Sequence, residues 1–133
     1  MFEDADIVST YTRAQALADG ELVDVTATAR EAGFTLPTAV TRAVWIDCIQ
    51  WGEAEKKAKP RACQDQEGRL WDVVYMAFLA ARRAPQSSRT SYSIHRVPAD
   101  GQGLRARPVE LILRVTPGDQ GEPVITICQP LED

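Results

Sequence analysis

The chain carries a single histidine, His95, among its 133 residues, and that scarcity limits what it does. Nucleophilic catalysis needs a base within hydrogen-bond reach of a serine or cysteine. Cys48 falls in the apolar stripe of a helix, and Ser93 and His95 stand two apart on a strand, which lets them share a face without meeting end to end. No catalytic residue is assigned, and the expectation is a protein that is not an enzyme. Cysteine is sparse too: Cys48, Cys63 and Cys128 are odd in number and far apart, a pattern of reduced thiols rather than a disulfide framework. They also lack the local pairs that a structural zinc site takes from its ligands. Asp65, Glu67 and Asp72 do not form the twelve-residue calcium loop. Gly101-Gln102-Gly103 lacks the third glycine of a dinucleotide loop, and there is no Gly-Lys-Ser/Thr phosphate loop. No cofactor and no metal are therefore expected. Nothing in the spacing of the 19 acids selects two as a hydrolytic pair. Apolar runs stop well short of the ~20 residues that span a bilayer. The start, Met1-Phe2-Glu3-Asp4-Ala5-Asp6, is acidic where a signal peptide is basic. These features predict a cytoplasmic protein with no membrane partner.

What is present is ordinary globular material. Hydrophobic residues make up 44% and charged residues 26%. That balance suits one core and one domain over 1–133. Charge is arranged in blocks. Residues 1–34 set Glu3, Asp4, Asp6, Asp19, Glu21, Asp24 and Glu31 against Arg13 and Arg30. Residues 80–115 reverse the sign, with Arg82, Arg83, Arg89, Arg96, Arg105, Arg107 and Arg114 against Asp100 and Glu110. Such asymmetry steers charged partners.

Hydrophobic period and punctuation divide the domain into three parts. Residues 1–36 read as short capped elements: Thr12 caps a helix that Gly20 ends, and Thr26 or Thr28 begins a turn that Gly33 closes. Residues 37–84 read as a helical pair. Val40, Val44, Cys48 and Trp51 recur at helical spacing and predict a long helix over 38–52; Leu70, Val74, Ala77 and Ala81 predict a second over 69–83, stopped by Pro85. The charged, proline-broken segment 53–67 between them reads as a mobile loop. Residues 86–133 switch to period two and predict strands over 90–97, 108–115 and 122–129. The expected fold is α+β, with two long helices packed on a three-stranded antiparallel meander. Val44, Cys48, Trp71, Val74, Phe78, Leu111, Leu113 and Ile125 are its expected core.

Two surfaces are candidates for partner binding. One is the acidic set Glu3, Asp4, Asp6, Asp19, Glu21 and Asp24. The other is the basic set Arg89, Tyr92, Arg96, Arg105 and Arg107, in which Tyr92 would stack a base among arginines. A pI near 5.0 weighs against general affinity for phosphate backbones.

The runs Tyr11–Val25, Ala29–Phe34, Thr41–Trp45, Gly68–Val73 and Glu122–Ile127 resemble an uncharacterised family of small accessory proteins encoded on bacterial plasmids and phages. The resemblance spans most of the chain and brings no catalytic residues with it. It implies a niche in which small acidic proteins inhibit host defence, anti-CRISPR proteins among them, by covering the DNA-binding or nuclease-recruiting surface of an effector complex. The implied partner is a host protein or protein–nucleic acid complex, with direct nucleic-acid binding by an accessory protein as the alternative.

Overall fold

A computed structural model describes residues 11–133. Thr12 opens α1 (Arg13–Asp19) with a reciprocal cap. Its hydroxyl accepts the Gln15 amide at 3.0 Å, and the Gln15 side chain accepts the Thr12 amide at 2.8 Å. β1 (Leu22–Asp24) and α2 (Thr26–Ala32) follow. Gly33 ends α2 at φ +124°, and a methyl group there would stand 2.5 Å from Cζ of Phe78, so glycine serves both the turn and the approach of the ring.

The expected helix over 38–52 is not formed. Thr38–Thr41 is β2, and only then does the chain coil, through a single turn α3 (Arg42–Val44) into a π-helical turn over Trp45–Ile49. Val40, Val44, Cys48 and Trp51 are all buried, as their spacing suggested, yet they reach the core from a strand, two turns and a loop. The stripe could not reveal this, because the run Thr-Ala-Val-Thr suits a strand buried on both faces as well as a helix. Thr41 marks the change, since its hydroxyl accepts the Val44 amide at 3.2 Å. That bond caps α3.

Segment 53–67, expected as a loop, contains α4 (Glu53–Ala58). α5 (Gln66–Arg83) is the one long helix among the described residues, capped by the Asp65 carboxylate on the Gly68 amide at 2.6 Å. β3 (Arg89–Arg96), β4 (Arg107–Pro117) and β5 (Pro123–Cys128) form antiparallel pairs, and a 3-10 turn, Pro130–Glu132, follows.

The sheet also departs from the expected meander. It is mixed and five-stranded, in the order β1-β2-β5-β4-β3, because β2 pairs with β5 in parallel and β1 adds to β2 antiparallel. One face receives α2, the π turn and α5. Val25, Ala29, Val40, Val44, Ile49, Val73, Val74, Ala77, Ile94, Leu111, Leu113, Ile125 and Ile127 form the core between them. On the other face, the Arg13 guanidinium donates to Thr126 Oγ1 and to the Ile125 carbonyl, both at 2.7 Å, and Thr41 donates to Glu132 at 2.8 Å. α1 and the closing turn are thereby tied to it.

Two expected core residues stand elsewhere. α5 buries the stripe Arg69, Val73, Val74, Ala77 and Ala80, which leaves Trp71 on the opposite side of the helix at 37% exposure. Phe78 is half-buried at the margin, edge-on to Phe34 with ring centroids 5.3 Å apart.

Candidate functional site

β1 and β3 are the outer strands of the sheet, and they differ in how they meet solvent. β1 is three residues long, whereas β3 is eight. The Ser88 carbonyl accepts the Val115 amide at 2.8 Å, which fixes the alternation that follows. Residues 90, 92, 94 and 96 turn their backbone groups to β4, and Arg89, Ser91, Ser93 and His95 turn theirs away from the sheet. Ser87 occupies both groups of Arg89, since its hydroxyl donates to the Arg89 carbonyl at 2.6 Å and accepts its amide at 3.3 Å. Beyond it, Ser91, Ser93 and His95 present an open edge.

A groove of about 400 Å³ runs beside this edge, lined by Met76, Leu79, Ala80 and Arg83 of α5 and by residues 90–93 of β3. Its floor is firm, because Ala80 and Tyr92 are buried and Tyr92 donates to the Val73 carbonyl of α5 at 2.9 Å. From the groove outward, the solvent face of α5 sets Trp71, Tyr75 and Met76 among the exposed charges Asp72, Arg82 and Arg83. Trp71 and Tyr75 stack with centroids 5.3 Å apart, and Met76 lies next to them at 37% exposure. Aromatic and methionine side chains held at a surface are the material of protein interfaces.

The residues expected to bind a partner divide between the two ends of the sheet. Glu3, Asp4 and Asp6 lie outside the described residues. Asp19 accepts the Tyr11 hydroxyl at 2.8 Å, and this bond, more than the charge of Asp19, raises the pKa of the Tyr11 hydroxyl. Glu21 pairs with Arg42 at 2.6 Å, and Asp24 accepts the Thr26 hydroxyl at the start of α2. These three acids sit at the β1 end. At the β3 end, Arg89 pairs with Asp133, which also reaches Arg114 at 3.3 Å. Arg96 is bound to both oxygens of Asp47, at 3.0 and 3.2 Å. Tyr92 is inside, and no nucleotide base reaches its ring. Arg105 and Arg107 are exposed and make no ion pair among the described residues.

The chain belongs to DUF6573, a family of unknown function. The family model matches residues 1–133. No curated protein and no solved structure matches the chain.

Trp71, Tyr75, Met76, Leu79 and Arg83 were not among the candidate residues. Their signal was the aromatic pair at i, i+4, but it runs along a helix next to an equally apolar stripe, and sequence does not say which of two stripes is covered. Cys48 is buried in the helical layer, while His95 lies on the opposite side of the sheet with Arg89, Ser91 and Ser93. Burial first, and the neighbouring Asp47 second, push the Cys48 thiol up to about 12. Among the described residues, no three His, Cys, Asp or Glu side chains gather as a metal site, and no helix is long and apolar enough to cross a membrane.

The buried cations are structural. Arg69 donates Nε to the Ile49 carbonyl at 3.2 Å and Nη1 to Gln64 and the Val97 carbonyl, each at 2.9 Å, with its guanidinium 4.6 Å from the centroid of the Trp51 ring. It thus satisfies the end of the π turn and ties it to α5 and the exit of β3.

Proposed function

We propose that this protein works by binding another protein through the face made by α5 and β3, and that in the cell it inhibits a host defence complex, most concretely a CRISPR effector. The observation that carries the binding reading is the open edge of Ser91, Ser93 and His95 beside the groove lined by Met76, Leu79 and Arg83, on a helix that also exposes the Trp71–Tyr75 stack. An unpaired edge and an aromatic surface are each a liability for a protein that stays alone. The resemblance to accessory proteins of mobile elements supplies the class of partner, because such elements must survive host defence.

Direct nucleic-acid binding is the weaker reading. Exposed Arg105 and Arg107 favour it, but the stacking residue it needs, Tyr92, is buried, and Arg96 is bound to Asp47.

The deciding experiment measures DNA binding by a purified CRISPR effector complex with the wild-type protein and with the double variant Trp71→Ala, Tyr75→Ala. Wild type is expected to bind the complex and prevent its DNA binding; the folded double variant is expected to do neither. If the wild type shifts free DNA and leaves the effector untouched, the inhibitor reading is abandoned.

A further inference from the structure

We infer that the occupant of this face is an extended acidic segment of the partner, which adds to β3 as a sixth strand with an apolar side chain in the groove beside Met76 and Leu79. The inference rests on the α5–β3 face being the binding surface, as proposed above.

Proteins blunt long outer strands with prolines, lysines, bulges, shortness or a covering element. β1 is blunted by its three-residue length. β3 carries charge at its two ends, where Arg89 and Arg96 are held by Asp133 and Asp47, but between them it has no proline, lysine or bulge, it pairs with β4 in an unbroken register, and no other described strand lies beside it. The free backbone groups recur at every second residue, about 7 Å apart, which is the repeat of an incoming strand. Ser91, Ser93 and His95 send their side chains to the face away from α5, so none of them stands in the groove. An added strand sends alternate side chains to the two faces of the sheet, and one set enters the groove between α5 and β3.

Charge then selects the strand. Arg83 lines the groove at the Thr90 end, and Arg107 stands opposite Arg96 at the far end; neither has an ion-pair partner among the described residues. A segment with acids two residues to either side of an apolar residue, and so on the same face as it, answers both. A second copy of this chain does not. Antiparallel pairing of two β3 edges lays the Arg83 end of one against the Arg107 end of the other, and like charges set opposite are destabilising.

The test uses the full chain, isotopically labelled, and two synthetic eight-residue peptides in which threonine alternates with the groove-facing set, glutamate, valine and glutamate in one and lysine, valine and lysine in the other. At saturation the glutamate peptide is expected to slow amide exchange of Ser91, Ser93 and His95 by about tenfold or more while that of Tyr92 and Ile94, already bonded to β4, changes little. Ser93→Pro removes an N–H that faces away from the sheet and is expected to weaken the peptide about tenfold, or ~1.4 kcal/mol. Arg83→Glu leaves the backbone untouched and should exchange the preference toward the lysine peptide, which keeps the proposal open to refutation even if the proline variant fails to fold. Equal binding of both peptides, or protection confined to the Trp71–Tyr75 side, overturns strand addition, and the second of these leaves the docking face itself standing. Protection of the three amides in concentrated protein without peptide identifies a second copy as the occupant and also overturns it.

Discussion

The hydroxyl of Tyr92 donates to the carbonyl of Val73 at 2.9 Å, joining the outer strand of the sheet to the middle of α5. This bond holds the strand and the helix that flank the groove at a fixed separation. Tyr92→Phe keeps the ring and removes the bond, and we expect a loss of about 1 kcal/mol in urea denaturation. Affinity for nucleic acid should not change, since the ring is inaccessible.

Lys59 is buried, and its ammonium donates to the carbonyls of Pro98, Asp100 and Gly103 at 2.5, 2.9 and 2.5 Å. An ammonium has three donors, and all are used. Lys59→Met preserves the stem and abandons the three carbonyls, for an expected cost of about 2–4 kcal/mol. Limited proteolysis should find residues 98–104 cut before the rest of the chain unfolds.

Arg69 bridges three segments from one planar group, so lysine is no substitute. Arg69→Lys and Arg69→Leu are both expected to lower stability, by about 2 and about 3 kcal/mol, because each leaves the carbonyls of Ile49 and Val97 short of a donor. Intrinsic fluorescence should report the change through Trp51, which loses the cation over its ring.

The Cys48 thiol gives stability a pH dependence of known sign. Its ordinary value of 9.0 rises to about 12 on folding, with burial as the main cause. Between those values the unfolded chain has lost the proton and the folded chain keeps it, so stability falls as pH rises through that window. Burial raises Tyr92 and Cys128 in the same direction. Denaturation midpoints from pH ~8 to pH ~10 should decline, and Cys48→Ala should flatten the decline. Exposed Cys63 should react with thiol reagents in the native protein, and Cys48 only on unfolding.

Much of the fold could be read from local chemistry. The Thr12 cap and Gly20 exit of α1, the presence of α5 and its end before Pro85, and the alternation of β3, β4 and β5 are each decided by residues a few positions apart, whereas the expected stripe Leu70, Val74, Ala77 and Ala81 is shifted to Arg69, Val73, Val74, Ala77 and Ala80. The run 38–52 could not be read that way. Thr38–Thr41 becomes a strand only because β5, near the far end of the chain, offers it a parallel partner at Ile125–Ile127. β1 is a strand for the same reason one step removed.

The candidate site followed the same division. Sequence alone separated acidic from basic residues, and among the described ones Asp19, Glu21 and Asp24 stand at the β1 end of the sheet and Arg89, Arg96 and Arg107 at the β3 end. Which charges are free was a matter of tertiary structure, because Asp47, Asp133 and Arg42 come from distant segments to occupy Arg96, Arg89 and Glu21. Trp71 has the composition of a core residue, and the same side chain is core or contact surface according to which face of its helix the sheet covers. That choice minimises exposed apolar area over the whole chain at once, and no window of neighbouring residues contains it.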